Sequence, residues 1–190
     1  FYPTDDAHVD SAAPNTNFGN TLNLYVGDRA NQGGGTNYSY VQFDISDFGA
    51  QQEIVQAELW LYIHEKYGAP TQGMTISCHH ITTPGWDEMA ITWNAPPGHA
   101  TSSTDAITGT FNPSGWVVFN VTADVAGDYL TQDYVGWCLK QSPLVDWVWI
   151  NFWSSEQVPL PDYRPMLEIT YAGPVSTEAS TWGGVKALFR

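Results

Sequence analysis

Basic side chains are scarce in this chain of 190 residues. Six Lys and Arg stand against 20 Asp and Glu, a net charge of -14 with His neutral. Phosphate binding needs a basic face, so this balance argues against nucleic acid and anionic membrane as partners. It suits a cation-rich setting or a partner with basic groups. No apolar run approaches membrane-spanning length, which argues against membrane insertion. No βαβ alternation is present, so a parallel α/β fold is not expected. There is no Gly-rich phosphate loop, no Ser/His triad and no internal repeat. Cysteine is limited to Cys78 and Cys138, both in strand-like segments. In an exported protein the two could form one disulfide; the alternative is two buried thiols, since free Cys packs as a small apolar residue.

Aromatic residues are what the chain has in quantity: nine Trp, ten Tyr and eight Phe. The stretch Trp147–Trp153 is too short for a normal helix and is rich in aromatic and β-branched residues, so it reads as a strand. Side chains alternate across a strand. Val148, Ile150 and Phe152 therefore share one face, and Trp147, Trp149, Asn151 and Trp153 the other. Residues 59–64 repeat the pattern, with Leu59, Leu61 and Ile63 opposite Trp60, Tyr62 and His64. A core uses only the aliphatic faces. The aromatic outer face of Trp60, Tyr62, Trp147, Trp149 and Trp153 is left as an interface, as a platform for sugar rings, or as a surface covered by loops of the same chain.

Further strands are expected near residues 7–11, 22–26, 38–45, 54–65, 74–81, 107–111, 115–121, 135–140 and 166–171, roughly eleven in all. The single helical candidate begins at Thr122, read as its N-cap, with Val125, Tyr129 and Leu130 at helical spacing. Many short strands with turn signals between them imply an all-β fold, a two-sheet antiparallel β-sandwich of jelly-roll type, in one domain.

The sequence resembles the DNRLRE domain family of microbial surface proteins. The match begins in Asp-Ala-His-Val-Asp-Ser (6–11) and Pro-Asn-Thr-Asn-Phe-Gly (14–19). It runs on through Leu-Tyr-Val-Gly (24–27), Val-Gln-Phe-Asp-Ile-Ser (41–46), Ala-Glu-Leu-Trp-Leu-Tyr (57–62), Trp86-Asp-Glu, Thr92-Trp-Asn and Phe152-Trp-Ser-Ser-Glu. It ends in Tyr163-Arg-Pro-Met-Leu-Glu-Ile-Thr-Tyr171, and so spans nearly all of residues 5–171. The resemblance implies a secreted, non-catalytic β-sandwich that either binds polysaccharide or serves as a stalk or wall unit. It also implies that the Trp86–Pro96 segment is a structural corner with Trp86 and Trp93 in the core.

Residues 1–171 hold 19 acidic and 4 basic side chains, because Glu178, Lys186 and Arg190 lie beyond them; that body carries -15. An acidic glycan would need more cations than Arg29, Lys66, Lys140 and Arg164 supply. Neutral sugars stacking on Trp remain open to it.

After the domain at 1–171, residues 172–181 read as a linker by composition. Residues 182–190 read as a docking tail: Trp182, Val185, Lys186, Leu188, Phe189 and Arg190 combine apolar and basic groups, and they suit either a donated edge strand or one helical turn with Val185, Leu188 and Phe189 together. A tail of +1 is drawn to a body of -15. Docked on its own domain it would be a lid over an aromatic face; docked on the next copy it would build a head-to-tail filament, a homo-polymer. The favoured expectation is thus a non-catalytic, secreted structural protein that self-assembles; the alternative is a carbohydrate-binding module. A start at Phe1 suggests a mature product after signal-peptide removal, or a fragment.

Asp87 and Glu88 are adjacent, so as strand neighbours they point to opposite faces and do not suit a glycosidase carboxylate pair. His79 and His80 likewise diverge, and with His8 they lack a transition-metal spacing. No cofactor is certain: calcium has hard oxygen ligands in Asp5, Asp6, Asp10 and Asp28 beside the Asn15/Asn17 loop, but no EF-hand spacing is present, and solvated loop acids are the favoured alternative. Asn37-Tyr-Ser and Asn120-Val-Thr match the N-glycosylation sequon.

Overall fold

The computed structural model describes residues 1–48, 53–68 and 73–172. Among these residues, ten antiparallel strands form one curled sheet with a single short helix, an all-β, sandwich-like fold. The strands are β1 (Asp5–Asp10), β2 (Asn23–Asp28), β3 (Thr36–Asp44), β4 (Glu53–Tyr67), β5 (Met74–His80), β6 (Asp105–Gly109), β7 (Gly115–Asn120), β8 (Tyr134–Gln141), β9 (Trp149–Trp153) and β10 (Met166–Ala172). Helix α1 (Thr122–Asp128) lies between β7 and β8, and 3₁₀ turns occupy Ala30–Gln32 and Pro161–Tyr163. Each of the ten expected strand segments gives a strand, displaced by a few residues at the ends.

The long strand β4 organises one half of the sheet. Along one edge it pairs first with β10 and then with β9; along the other it pairs with β7. Strand β2 continues that half from β9. The second half is built on β3, flanked by β1 on one side and by β8, β5 and β6 on the other. Alternation does the rest: Ala57, Leu59, Leu61 and Ile63 of β4 are buried, as are Val41 and Phe43 of β3 and Val135, Trp137 and Leu139 of β8. They join Leu24, Ile76, Phe119, Ile150, Phe152 and Leu167 in one core cluster, so the two halves close on each other. A buried Leu of this kind contributes about 2–5 kcal/mol against truncation to Ala.

The halves meet at Gly27, which pairs with Trp149 in β9 and with Asn37 in β3. Its φ is +119°, and a Cβ there would sit 2.3 Å from the Val148 carbonyl oxygen. Only glycine permits the chain to change partners this tightly.

The helix expectation is corrected at two residues, and the choice between a disulfide and two buried thiols is decided. Thr122 is the first helical residue and not the N-cap, a position held by Val121. Its hydroxyl instead accepts from the Ala57 amide (2.9 Å) and ties the helix to β4. Leu130 lies beyond the helix end and is exposed, whereas Val125 is buried. The disulfide does not form: Cys78 and Cys138 are free and buried. On paired strands Cys78 stands opposite Leu139 and Cys138 opposite His79, one step out of register. Their side chains therefore leave opposite faces, Cys78 into the main core and Cys138 into a second cluster. Burial pushes both thiols up, Cys138 to about 12, so neither is a reactive thiolate.

Candidate functional site

The outer faces of the two halves differ. Over β1, β3 and β8 the chain covers itself: Tyr40, Cys138, Ala7 and Val9 pack under Ile81 and Ile91, with Trp86, Trp93 and Tyr38 against them. Trp86 and Trp93 are thus a lid on this outer face and do not enter the central core. Beside Trp93, a pocket of about 210 Å³ is lined by Val9, Tyr38, Tyr40, Trp93, Pro96 and His99.

Over β4, β7 and β9 no loop among the described residues closes in the same way. Trp60 and Tyr62 of β4 point outward and are half-buried. In register, Tyr62 stands opposite Trp116 of β7 and Trp60 opposite Val118. Trp116 meets Tyr62 edge-on at 5.2 Å between centroids and Trp60 at 6.1 Å, and it keeps 39% of its surface exposed. Tyr163, at the end of the second 3₁₀ turn, lies on Tyr62 at 4.2 Å. Edge-to-face and tilted contacts of this kind hold each ring rigidly while leaving ring faces open to solvent.

The band extends toward β9 through a β-bulge between Ile63 and Glu65. His64 stacks flat on Trp153, 3.6 Å between centroids at 6°. Burial lowers the His64 pKa, so it stacks as a neutral ring near pH 7. Past the bulge, Tyr67 rather than Lys66 faces out over Trp149, parallel at 6.0 Å. Tyr25 closes on Trp149 edge-on at 5.5 Å, with the Arg29 guanidinium 3.6 Å above the Tyr25 ring.

The five expected outer-face aromatics therefore part company. Trp60 and Tyr62 lie in the band with partly open surfaces, and Trp153 beside them. Trp149 shares the face but is 2% exposed beneath Tyr67 and Tyr25. Trp147 is not on the strand: its φ of 60° places it in the preceding turn, where its amide donates to Asp28 Oδ2 at 2.9 Å. Trp116 and Tyr163 are the members that sequence reasoning missed. Outward alternation in residues 115–121 is visible in the sequence, but the register that sets Trp116 against Tyr62 is a tertiary fact.

Acidic groups flank the band. Glu58 shares the face of Trp60, and Glu168 stands directly opposite it in β10. Nearby cations are engaged: Lys66 Nζ donates to the Thr110 carbonyl (2.8 Å) and Arg164 Nε to that of Gln157 (3.2 Å).

The four candidate calcium ligands do not converge. Asp10 Oδ1 accepts from the amides of Ala12 and Gly35, both at 2.8 Å. Asp28 Oδ1 accepts from the Ala30 amide (3.0 Å), and Asp5 accepts from Gln42 Nε2 and the Glu88 amide. These are turn and loop caps, using carboxylate lone pairs that a cation would need. Only Asp6 enters an acidic cluster, and its companions are Glu88 and Glu156.

The histidines are separate as well. His8 stacks on Phe18, and its pKa is lowered to about 4 by burial. His79 bridges the Ala100 carbonyl and the Ser77 hydroxyl, while His80 Nε2 lies 2.7 Å from Asp128 Oδ2. Asp87 caps the Met89 amide while Glu88 faces Asp6, so that adjacent pair does not converge. Asn37 is fully buried, out of reach of glycosylation; Asn120 is exposed. The docking-tail residues Trp182, Val185, Lys186, Leu188, Phe189 and Arg190 lie outside the described residues. No described helix is long and apolar enough to cross a membrane.

No curated protein matches the chain. The model of carbohydrate-binding module family 96 matches residues 1–171. This corrects the resemblance to the DNRLRE family: the strand and corner segments that carried it are matched by the carbohydrate-binding family.

Proposed function

The chain belongs to carbohydrate-binding module family 96, and on that premise we propose that it is a non-catalytic, extracellular module whose aromatic band binds a neutral polysaccharide. The observation that carries the reading is the set of rings held on β4, β7 and the second 3₁₀ turn: Trp60, Tyr62, Trp116 and Tyr163, with the His64–Trp153 stack beside them. The C–H faces of a pyranose are apolar and stack on such rings, and a rigid platform loses little conformational entropy on binding. Flanking Glu58 and Glu168, with Lys66 and Arg164 already committed, set the charge preference. A polyuronate would meet carboxylate repulsion; an uncharged chain would not.

The head-to-tail filament is set aside. It rested on residues 182–190, which lie outside the described residues, and the family match supports binding of carbohydrate instead. The test is titration of the full chain with soluble neutral glucans, xylans and mannans and with alginate, followed by Trp fluorescence and calorimetry. Binding of a neutral polymer that persists from 50 to 500 mM NaCl is expected. Binding restricted to alginate and abolished by salt would sink the reading.

A further inference from the structure

Away from the aromatic band, Asp6, Glu88 and Glu156 each offer one carboxylate oxygen, and all three oxygens lie within 4.8 Å of one another. They come from three parts of the chain: β1, the lid segment over the second cluster, and the connection from β9 to β10. Three carboxylates this close, without a counter-charge, would repel strongly unless protons or a cation intervene.

The positions are built. Gly19 lies so close beneath Glu88 that a Cβ would be 2.3 Å from its carbonyl oxygen. That carbonyl accepts from Asn17 Nδ2, and the Glu88 amide donates to Asp5 Oδ1 at 3.3 Å. The Asp6 amide donates to Glu88 Oε2 (3.1 Å), the Ser155 amide to Asp6 Oδ2 (2.8 Å), and the Ser155 hydroxyl to Glu156 Oε1 (3.2 Å).

What remains points to a ligand. Asp6 is 1% exposed, and its Oδ1 has no hydrogen-bond partner among the described residues; on the partly buried Glu156, the Oε2 atom is shielded from solvent and unpartnered too. A buried carboxylate oxygen without a donor is costly, and natural structures rarely leave one so. Oxygens on opposite sides of a calcium ion at 2.3–2.6 Å are roughly 4.6–5.2 Å apart. The observed spread lets one such ion touch all three carboxylates, and Asp6 Oδ1 and Glu156 Oε2 are the free donors for it.

We propose that Asp6, Glu88 and Glu156 form a binding site for one hard divalent cation of the calcium type, which staples the β9–β10 connection and the lid segment to β1. Carboxylates at a net charge of -3 suit such an ion, with backbone carbonyls or water completing its shell. Burial and the charges of Glu156 and Glu88 raise the Asp6 pKa well above the usual range. A bound cation reverses that preference. The site differs from the four-aspartate calcium set expected from sequence: it keeps Asp6 and replaces the others with glutamates more than 80 residues away in the chain.

The experiment uses the full chain, stripped with EDTA and dialysed, with calcium chloride as the probe at pH 7. Calorimetry is expected to give one ion per chain, and Tm to rise by roughly 5 °C or more at a hundredfold excess over Kd. Asp6→Asn and Glu156→Gln should each weaken binding by at least about tenfold. Glu156 is only partly buried, so Glu156→Gln tests the site even if Asp6→Asn fails to fold. No heat and no Tm change in the unaltered chain would overturn the proposal, with Asp6 then neutralised by a proton. Calcium binding that both variants leave unchanged would overturn it too, by placing the ion elsewhere.

Discussion

Replacing Trp116 with Ala tests the proposed binding face at an open ring of the β4–β7 set. An aromatic side chain offers roughly 150–250 Å², and Trp116 keeps 39% exposed, so about 60–100 Å² is free for a sugar to cover. At about 25 cal/mol per Å², covering that area contributes roughly 1.5–2.5 kcal/mol. Trp116→Ala should therefore weaken binding of a neutral glycan about ten- to seventyfold, and Trp116→Tyr should recover much of it. Trp116 lies outside the main core and opposes Tyr62 on the outer face, so far-UV circular dichroism should stay unchanged. Calorimetry with the best neutral ligand from the glycan panel reads the affinity. Trp93→Ala is the companion, because Trp93 lines the pocket on the opposite face. Full affinity in a folded Trp116→Ala protein, with loss in Trp93→Ala, would refute the assignment and move the sugar to that pocket.

Other outcomes follow from the same geometry. Trp149→Ala should behave as a core truncation: urea denaturation should show a loss of about 3–5 kcal/mol, because the ring is buried under Tyr67 and Tyr25. A near-neutral result would mean that Trp149 is a surface residue. The thiols of Cys78 and Cys138 should ignore Ellman's reagent in the native protein and both react in denaturant without any reductant; a mass showing a disulfide would contradict the register of β5 and β8. The bond to Asp128 raises the His80 pKa above its ordinary value near 6.5. Its contribution is thus fully present below about pH 6.5 and is lost as pH rises through the higher folded value. His80→Gln should cost more stability at pH 6 than at pH 9, and an equal cost at both would remove the ion pair from the account.

The strands, their inward and outward faces and the all-β class are legible in the chain because a strand repeats every two residues. Leu59, Leu61 and Ile63 against Trp60, Tyr62 and His64 announce a two-faced strand whatever their neighbours are. The acidic balance, which disfavours polyanions, is likewise a property of composition. Partnership is not local. Trp116 joins Tyr62 through the register of β7 on β4, and Tyr67 reaches the outer face only because the bulge after Ile63 breaks the alternation. One residue of register decides whether Cys78 and Cys138 share a face. Asp6, Glu88 and Glu156 are brought together by contacts spanning most of the chain. Alternation is written residue by residue, so the sequence carries it. Register, bulges and convergence depend on which strands pair across long separations, and that is settled only when the two halves of the sheet close on a common core.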